Sequence, residues 1–131
     1  MQIRCGTDII MIDRIEKAVA RQGQAFVDRI WTSSEQQDCV GAGRFASLAA
    51  RFAAKEAAAK ALGTGIGPSG VSWHDFEVRK LPSGQPELKL HGAAATLSYS
   101  LGAVSHSLSL SHDGGQALAF CVILCNQGEN N

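Results

Sequence analysis

The sequence predicts an α+β fold in which a long helix packs on an antiparallel sheet, and three observations predict it. Residues 44–62 form an alanine-rich run without glycine or proline, and alanine costs least in a helix. Helix-period segments and a capping box fill the first half of the chain. From Val71 onward the chain changes to short alternating or apolar runs divided by Gly and Pro turns. Helices first and strands later is the α+β pattern.

The elements follow in order. Residues 3–12 read as a strand carrying Ile9, Ile10, Met11 and Ile12, with Gly6 early and Asp8 inside it. The run is short and bounded, as a buried strand is. A buried aspartate is costly unless paired or metal-bound, although Asp8 could instead cap the turn at a strand end. A helix is predicted from Asp13 to Gln22, stopped by Gly23. Ile12, Ile15 and Val19 face the core, Arg14, Lys17 and Arg21 form a basic stripe, and Asp13 and Glu16 fall on a different side. Such a stripe suits an acidic partner or an ordinary solvated face.

Phe26–Trp31 reads as a helical turn. Thr32-Ser-Ser-Glu35 is a capping box that starts a helix ended by Gly41-Ala-Gly43. The long helix then runs from Arg44 to Leu62, and Gly63–Gly67 with Pro68 terminates it. That glycine cluster follows a helix and lacks the Gly-Lys-Ser/Thr ending, so it is not a P-loop. Val71–Lys80 and Glu87–Leu90 read as a hairpin around the turn Leu81–Pro86. Ala93–Leu101 is a short helix and Ser105–Ser111 an alternating strand. His112–Gly115 is a tight turn, and Ala117–Cys125 a buried apolar strand. Residues 126–131 are a polar tail.

Composition sets the limits. At 131 residues, 1–131 makes one domain, and 45% apolar content is ordinary for a soluble globular protein. Net charge is zero, so there is no global electrostatic case for nucleic acid. No apolar run approaches the roughly 20 residues of a membrane span. Asp8 and Asp13 interrupt the N-terminal apolar stretch, which excludes a signal peptide. Cys5, Cys39, Cys121 and Cys125 contain no Cys-x-x-Cys pair and read as reduced cytosolic thiols.

The chemistry-bearing side chains of the long helix are few. Among alanines stand Arg51, Lys55, Glu56 and Lys60. Glu56 and Lys60 are one turn apart on one face, and Arg51 and Lys55 make a second such pair on a neighbouring face. A carboxylate among three cations is what a metal-plus-phosphate site needs, and it is also how a solvated helix looks.

Three blocks in order carry a resemblance. They are Gly6-Thr-Asp8-Ile-Ile with Arg14-Ile15, the segment from Arg51 to Gly63, and Ser109-Leu-Ser-His112-Asp113 followed by the strand Ala117–Ile123. Together they resemble the small class of 4′-phosphopantetheinyl transferases, the holo-[acyl-carrier-protein] synthases, over residues 3–124. The resemblance implies transfer of 4′-phosphopantetheine from coenzyme A to a serine of apo acyl carrier protein, releasing adenosine 3′,5′-bisphosphate. It also implies service to fatty acid biosynthesis in the cytoplasm, a magnesium ion, and a homotrimer with sites at subunit interfaces.

On this resemblance Asp8 and Glu56 hold the metal, and Lys60 stabilises phosphate oxygens. The base is Glu56 or a metal-bound water, with Glu56 preferred. Arg51 and Lys55 are expected at phosphates, since guanidinium binds phosphate bidentately. Ser111, His112 and Asp113 are expected at the adenosine-phosphate end of coenzyme A. Gly84 and Pro86 match a Gly-x-Pro element near the nucleotide, and Gly63 opens the segment after the catalytic helix. Arg14, Lys17 and Arg21 gain an acidic partner, the carrier protein. One departure stands out. Many relatives have a histidine where Ser107 stands, and a one-residue shift along a strand puts His106 on the other face. Arg44 is similarly offset from a basic position in some relatives.

Overall fold

The computed structural model of the chain describes residues 1–126. β1 (Gln2–Met11) runs straight into α1 (Ile12–Gln22). Gly23, at φ +71, ends α1 and opens α2 (Gln24–Ile30). The predicted capping box is present: the Thr32 hydroxyl accepts the Glu35 N–H, and the Glu35 carboxylate accepts the Thr32 N–H. The helix it starts, α3 (Ser33–Asp38), stops at Cys39, short of the expected glycines. Gly41–Gly43 instead makes one 3₁₀ turn that leads into α4 (Arg44–Leu62). Left-handed Gly63 closes α4, its N–H reaching the Ala59 and Lys60 carbonyls.

The hairpin is shorter than predicted. β2 (Phe76–Lys80) pairs with β3 (Pro86–Leu90), and residues 71–75 are not strand. The reason is Asp75. Its carboxylate accepts from the Ser72 N–H and hydroxyl and from the Ala94 N–H in α5 (Gly92–Ser100). That draws the segment into a 3₁₀ turn. β4 (Ala103–Asp113) carries His112 and Asp113 to its end, so the tight turn before β5 (Gln116–Cys125) is Gly114-Gly115 alone. Asn126 donates to Gly102, and the remainder of the predicted polar tail, 127–131, lies outside the described residues.

The sheet is not wholly late in sequence. Its order is β1-β5-β4, all antiparallel, so the first strand pairs with the last. Asp8 stands opposite Ala119, and Ala119 opposite Leu110. α4 crosses the inner face over β1 and β5. The approach is close because both sides are small. A Cβ at Gly6 would collide with the Ala57 carbonyl and the Ala61 amide. Ala53, Ala54, Ala57, Ala58 and Ala61 are all buried.

The opposite face of the sheet corrects the expectation of two buried strands. Only alternate residues of β1 and β5 are covered. Ile3, Ile9, Met11, Leu118 and Phe120 lie exposed on the outer face, beside Ser107, Ser109 and Ser111 of β4. Of the four thiols, Cys39, Cys121 and Cys125 are buried and Cys5 is exposed, all free.

Candidate active site

Two groups of side chains form on either side of α4. On the β1 side, the inner-face position of Asp8 meets the turn of helix that carries Glu56 and Lys60. The Lys60 ammonium donates to Asp8 Oδ1 at 3.2 Å and to the Thr7 carbonyl at 2.9 Å. Glu56 is half-buried. Burial first, and the Asp8 charge second, push its carboxyl above the ordinary range, while Lys60 opposes them. Two carboxylates and one ammonium thus share a partly desolvated patch. This cluster is what a hard cation with phosphate oxygens requires. Arg4 steadies the adjoining end of α4, its guanidinium capping the Ala61 and Leu62 carbonyls beside Gly63.

On the other side lies a basic cleft of about 250 Å³ between α4, the β2–β3 hairpin and the end of β4. Arg51, Arg79, Lys80, Gly84, Pro86 and His112 line it, with Ser111 at its edge. Arg51 is buried. One guanidinium nitrogen reaches the Cys39 sulfur at 3.3 Å and another Asp38 at 3.5 Å, while its Nε has no partner. Burial raises the Cys39 thiol, against the Arg51 charge, so this cysteine is an inert neighbour. At 3.6 residues per turn, Arg51 sits about 140° around the helix from Glu56. Asp8, Glu56 and Lys60 do not line this cleft.

The structure therefore groups the predicted residues in two sets. It joins Asp8, Glu56 and Lys60, and separately joins Arg51, Gly84, Pro86, Ser111 and His112. It corrects Lys55. That side chain is fully buried, its ammonium donating to Glu35 at 2.7 Å and to the Trp73 and Phe76 carbonyls, which leaves no donor for a phosphate. Burial pushes the Lys55 ammonium below its ordinary range, and Glu35 works against that. Asp113 is exposed at the end of β4 and does not line the cleft.

The stripe on α1 changes too. Arg14 and Arg21 are exposed, but Lys17 pairs with Asp13 at 3.3 Å, so Asp13 is not on a separate face. Arg14 rims a second cleft, of about 270 Å³, with Arg29 opposite and Ile15, Phe26, Phe52 and Trp73 in its walls. Sequence reading missed Arg79, Lys80 and Arg29. The first two announced themselves as a basic pair just before the hairpin turn. Arg29 gave no signal, because only the packing of α2 against α1 brings it to Arg14. His106 shares the inner face with Leu108 and His112, opposite in direction to Ser107.

Known proteins now bear on this geometry. A family description, the 4′-phosphopantetheinyl transferase superfamily, matches residues 4–121. The chain belongs to that family. A holo-[acyl-carrier-protein] synthase of Herpetosiphon aurantiacus is 50% identical over 122 residues, covering 89% of this chain and 94% of its own. One from Koribacter versatilis is 43% identical over 124 residues, covering 94% and 98%. Among solved structures, the Neisseria meningitidis enzyme superposes with a TM-score of 0.83 at 37% identity, covering 92% of this chain and 97% of its own. The Helicobacter pylori enzyme in complex with coenzyme A does so at 0.81 and 37%, covering 92% and 99%.

Proposed function

We propose that this protein transfers 4′-phosphopantetheine from coenzyme A to a serine of apo acyl carrier protein, giving holo carrier and adenosine 3′,5′-bisphosphate. The reading places it in the cytoplasm, in support of fatty acid biosynthesis. Among the described residues no helix is long and apolar enough to cross a membrane. The observation that carries the reading is the clustering of Asp8, Glu56 and Lys60 apart from a basic cleft. The reaction breaks a diphosphate, and it needs cationic stabilisation at the phosphates and recognition of a phosphorylated nucleotide.

The donor set fits a magnesium ion. Among the described residues no three His, Cys, Asp or Glu side chains form a cluster that could hold a metal ion. Two carboxylates, whose mutual repulsion a cation would relieve, suit a metal that keeps waters and takes substrate oxygens. Asp8 and Glu56 would hold it, and when bound it neutralises the charge developing on the diphosphate. The carrier serine oxygen forms the new bond to phosphorus as the bond to the leaving bisphosphate breaks. Glu56, or a water on the metal it would hold, takes the serine proton, with Glu56 preferred. Lys60, half-exposed beside Asp8, supplies its positive charge to the phosphate oxygens. Arg51, with Arg79 and Lys80, offers fixed charge to the nucleotide phosphates, and Gly84 and Pro86 shape the hairpin wall beside them.

We also propose a homotrimer. The exposed apolar face around Ile9, Leu118 and Phe120 is the kind of surface that a symmetric assembly covers. The acidic carrier docks on α1 at Arg14 and Arg21, with the Phe26–Trp73 cleft taking an apolar side chain. Incubation with apo carrier, coenzyme A and magnesium, read by mass spectrometry, tests the reading. The phosphopantetheine mass gain is expected, and it disappears with a chelator. No gain from the wild-type protein would refute the activity, and undiminished gain after chelation would refute the metal.

A further inference from the structure

The two clefts share one buried ion pair. Lys55 and Glu35 are both fully buried. The Lys55 ammonium bonds Glu35 Oε1 at 2.7 Å, the Trp73 carbonyl at 3.2 Å, and the Phe76 carbonyl. Glu35 accepts the Thr32 N–H at 3.0 Å through Oε1 and the Val78 N–H at 3.0 Å through Oε2. Every bond but those within the α3 cap lands on one segment, 73–78. That segment has two ends with different duties. The Trp73 ring, stacked on Phe52 with centroids 4.7 Å apart, walls the α1–α2 cleft. Val78, with Arg79 and Lys80 after it, walls the basic cleft.

A fully buried ion pair is a poor way to gain stability, because desolvation offsets its attraction and an apolar pair of like volume serves as well. What it supplies is direction. An ammonium holding two carbonyls, and a carboxylate holding an amide, fix the segment along and across its axis, which apolar packing does not. We infer that Lys55 and Glu35 are positioning residues that set both clefts at once, holding Trp73 for the carrier and Val78–Lys80 for the nucleotide. Neither touches a substrate. The inference rests on the transferase reading above, in which the two clefts take the two substrates.

The test is steady-state kinetics on Lys55→Met/Glu35→Gln, which removes both charges together, with a melting curve on the same sample. A pair that only supports the fold would lower the active fraction, so kcat would fall and both KM values would hold. Positioning instead raises both KM values, by about tenfold or more, since small displacements remote from the chemistry are costly. Glu35→Gln alone provides the second arm, and decides the matter if the double variant does not fold. An amide has one acceptor oxygen where the carboxylate has two, so this variant must release either Val78 or the Thr32–Lys55 side. It then raises at least one KM. KM values for coenzyme A and carrier within about twofold of wild type in a folded variant overturn the inference. A wild-type protein without transfer activity overturns the transferase reading, and with it this inference.

Discussion

The two flanks of α4 differ in chemistry although one alanine scaffold builds both. On the β1 flank, Asp8, Glu56 and Lys60 are partly exposed, and burial, with the Asp8 charge second, raises Glu56. On the hairpin flank, Arg51 is buried against Asp38 and Cys39, and Arg79 and Lys80 of β2 line the same cleft. The first flank has carboxylates for a hard cation and a base. The second has cations for phosphate, with Asp38 and His112 also in its walls. The two sets lie on different sides of α4, with Arg51 about 140° around the helix from Glu56. For the proposed homotrimer, we take this difference to mean that assembly brings the acidic flank of one subunit to the basic flank of another.

Breaking the assembly should therefore have the largest effect. Leu118→Asp/Phe120→Asp puts charge on the exposed outer face without touching either flank. Sedimentation should show monomer, and transfer should fall by about a hundredfold or more because the two flanks no longer meet. A monomer of full activity would mean that one chain holds a complete site. A smaller effect separates the flanks by substrate. Arg51→Ala should raise the coenzyme A KM by about tenfold and leave the carrier KM near wild type. Arg14→Glu/Arg21→Glu should do the reverse, by about fivefold, and the effect should shrink as salt is added. If both variants moved the same KM, the assignment of the two clefts would be lost.

Sequence reading reached the elements and the acidic flank for identifiable reasons. The α4 boundaries were legible because alanine propensity and the Gly63 stop are local signals. The Thr32–Glu35 box was legible for the same reason. Asp8 was legible because a carboxylate inside an apolar run needs a partner, and the partner proved to be Lys60. Lys55 was misread because its charge suggested phosphate. Only the packing of α3 and the 73–78 segment on α4 shows that Glu35 takes it. The strand start at Val71 failed because Asp75 serves a helix nineteen residues later in the chain. The exposure of Leu118 and Phe120 was hidden as well, since an apolar run reads as buried whether its own chain or another covers it.

The central claim is that a working site takes its acidic flank from one subunit and its basic flank from another. Mixing two inactive proteins tests it most directly. Glu56→Gln destroys the acidic flank, and the triple variant Arg51→Ala/Arg79→Ala/Lys80→Ala, which removes every Arg and Lys lining the basic cleft, destroys the basic flank. After mixed trimers form from equal amounts, about a quarter of the interfaces pair an intact acidic flank with an intact basic one. The predicted result is recovery of transfer to about a quarter of the wild-type rate, with each variant far below that alone. Verified mixed trimers that regain nothing would contradict the account.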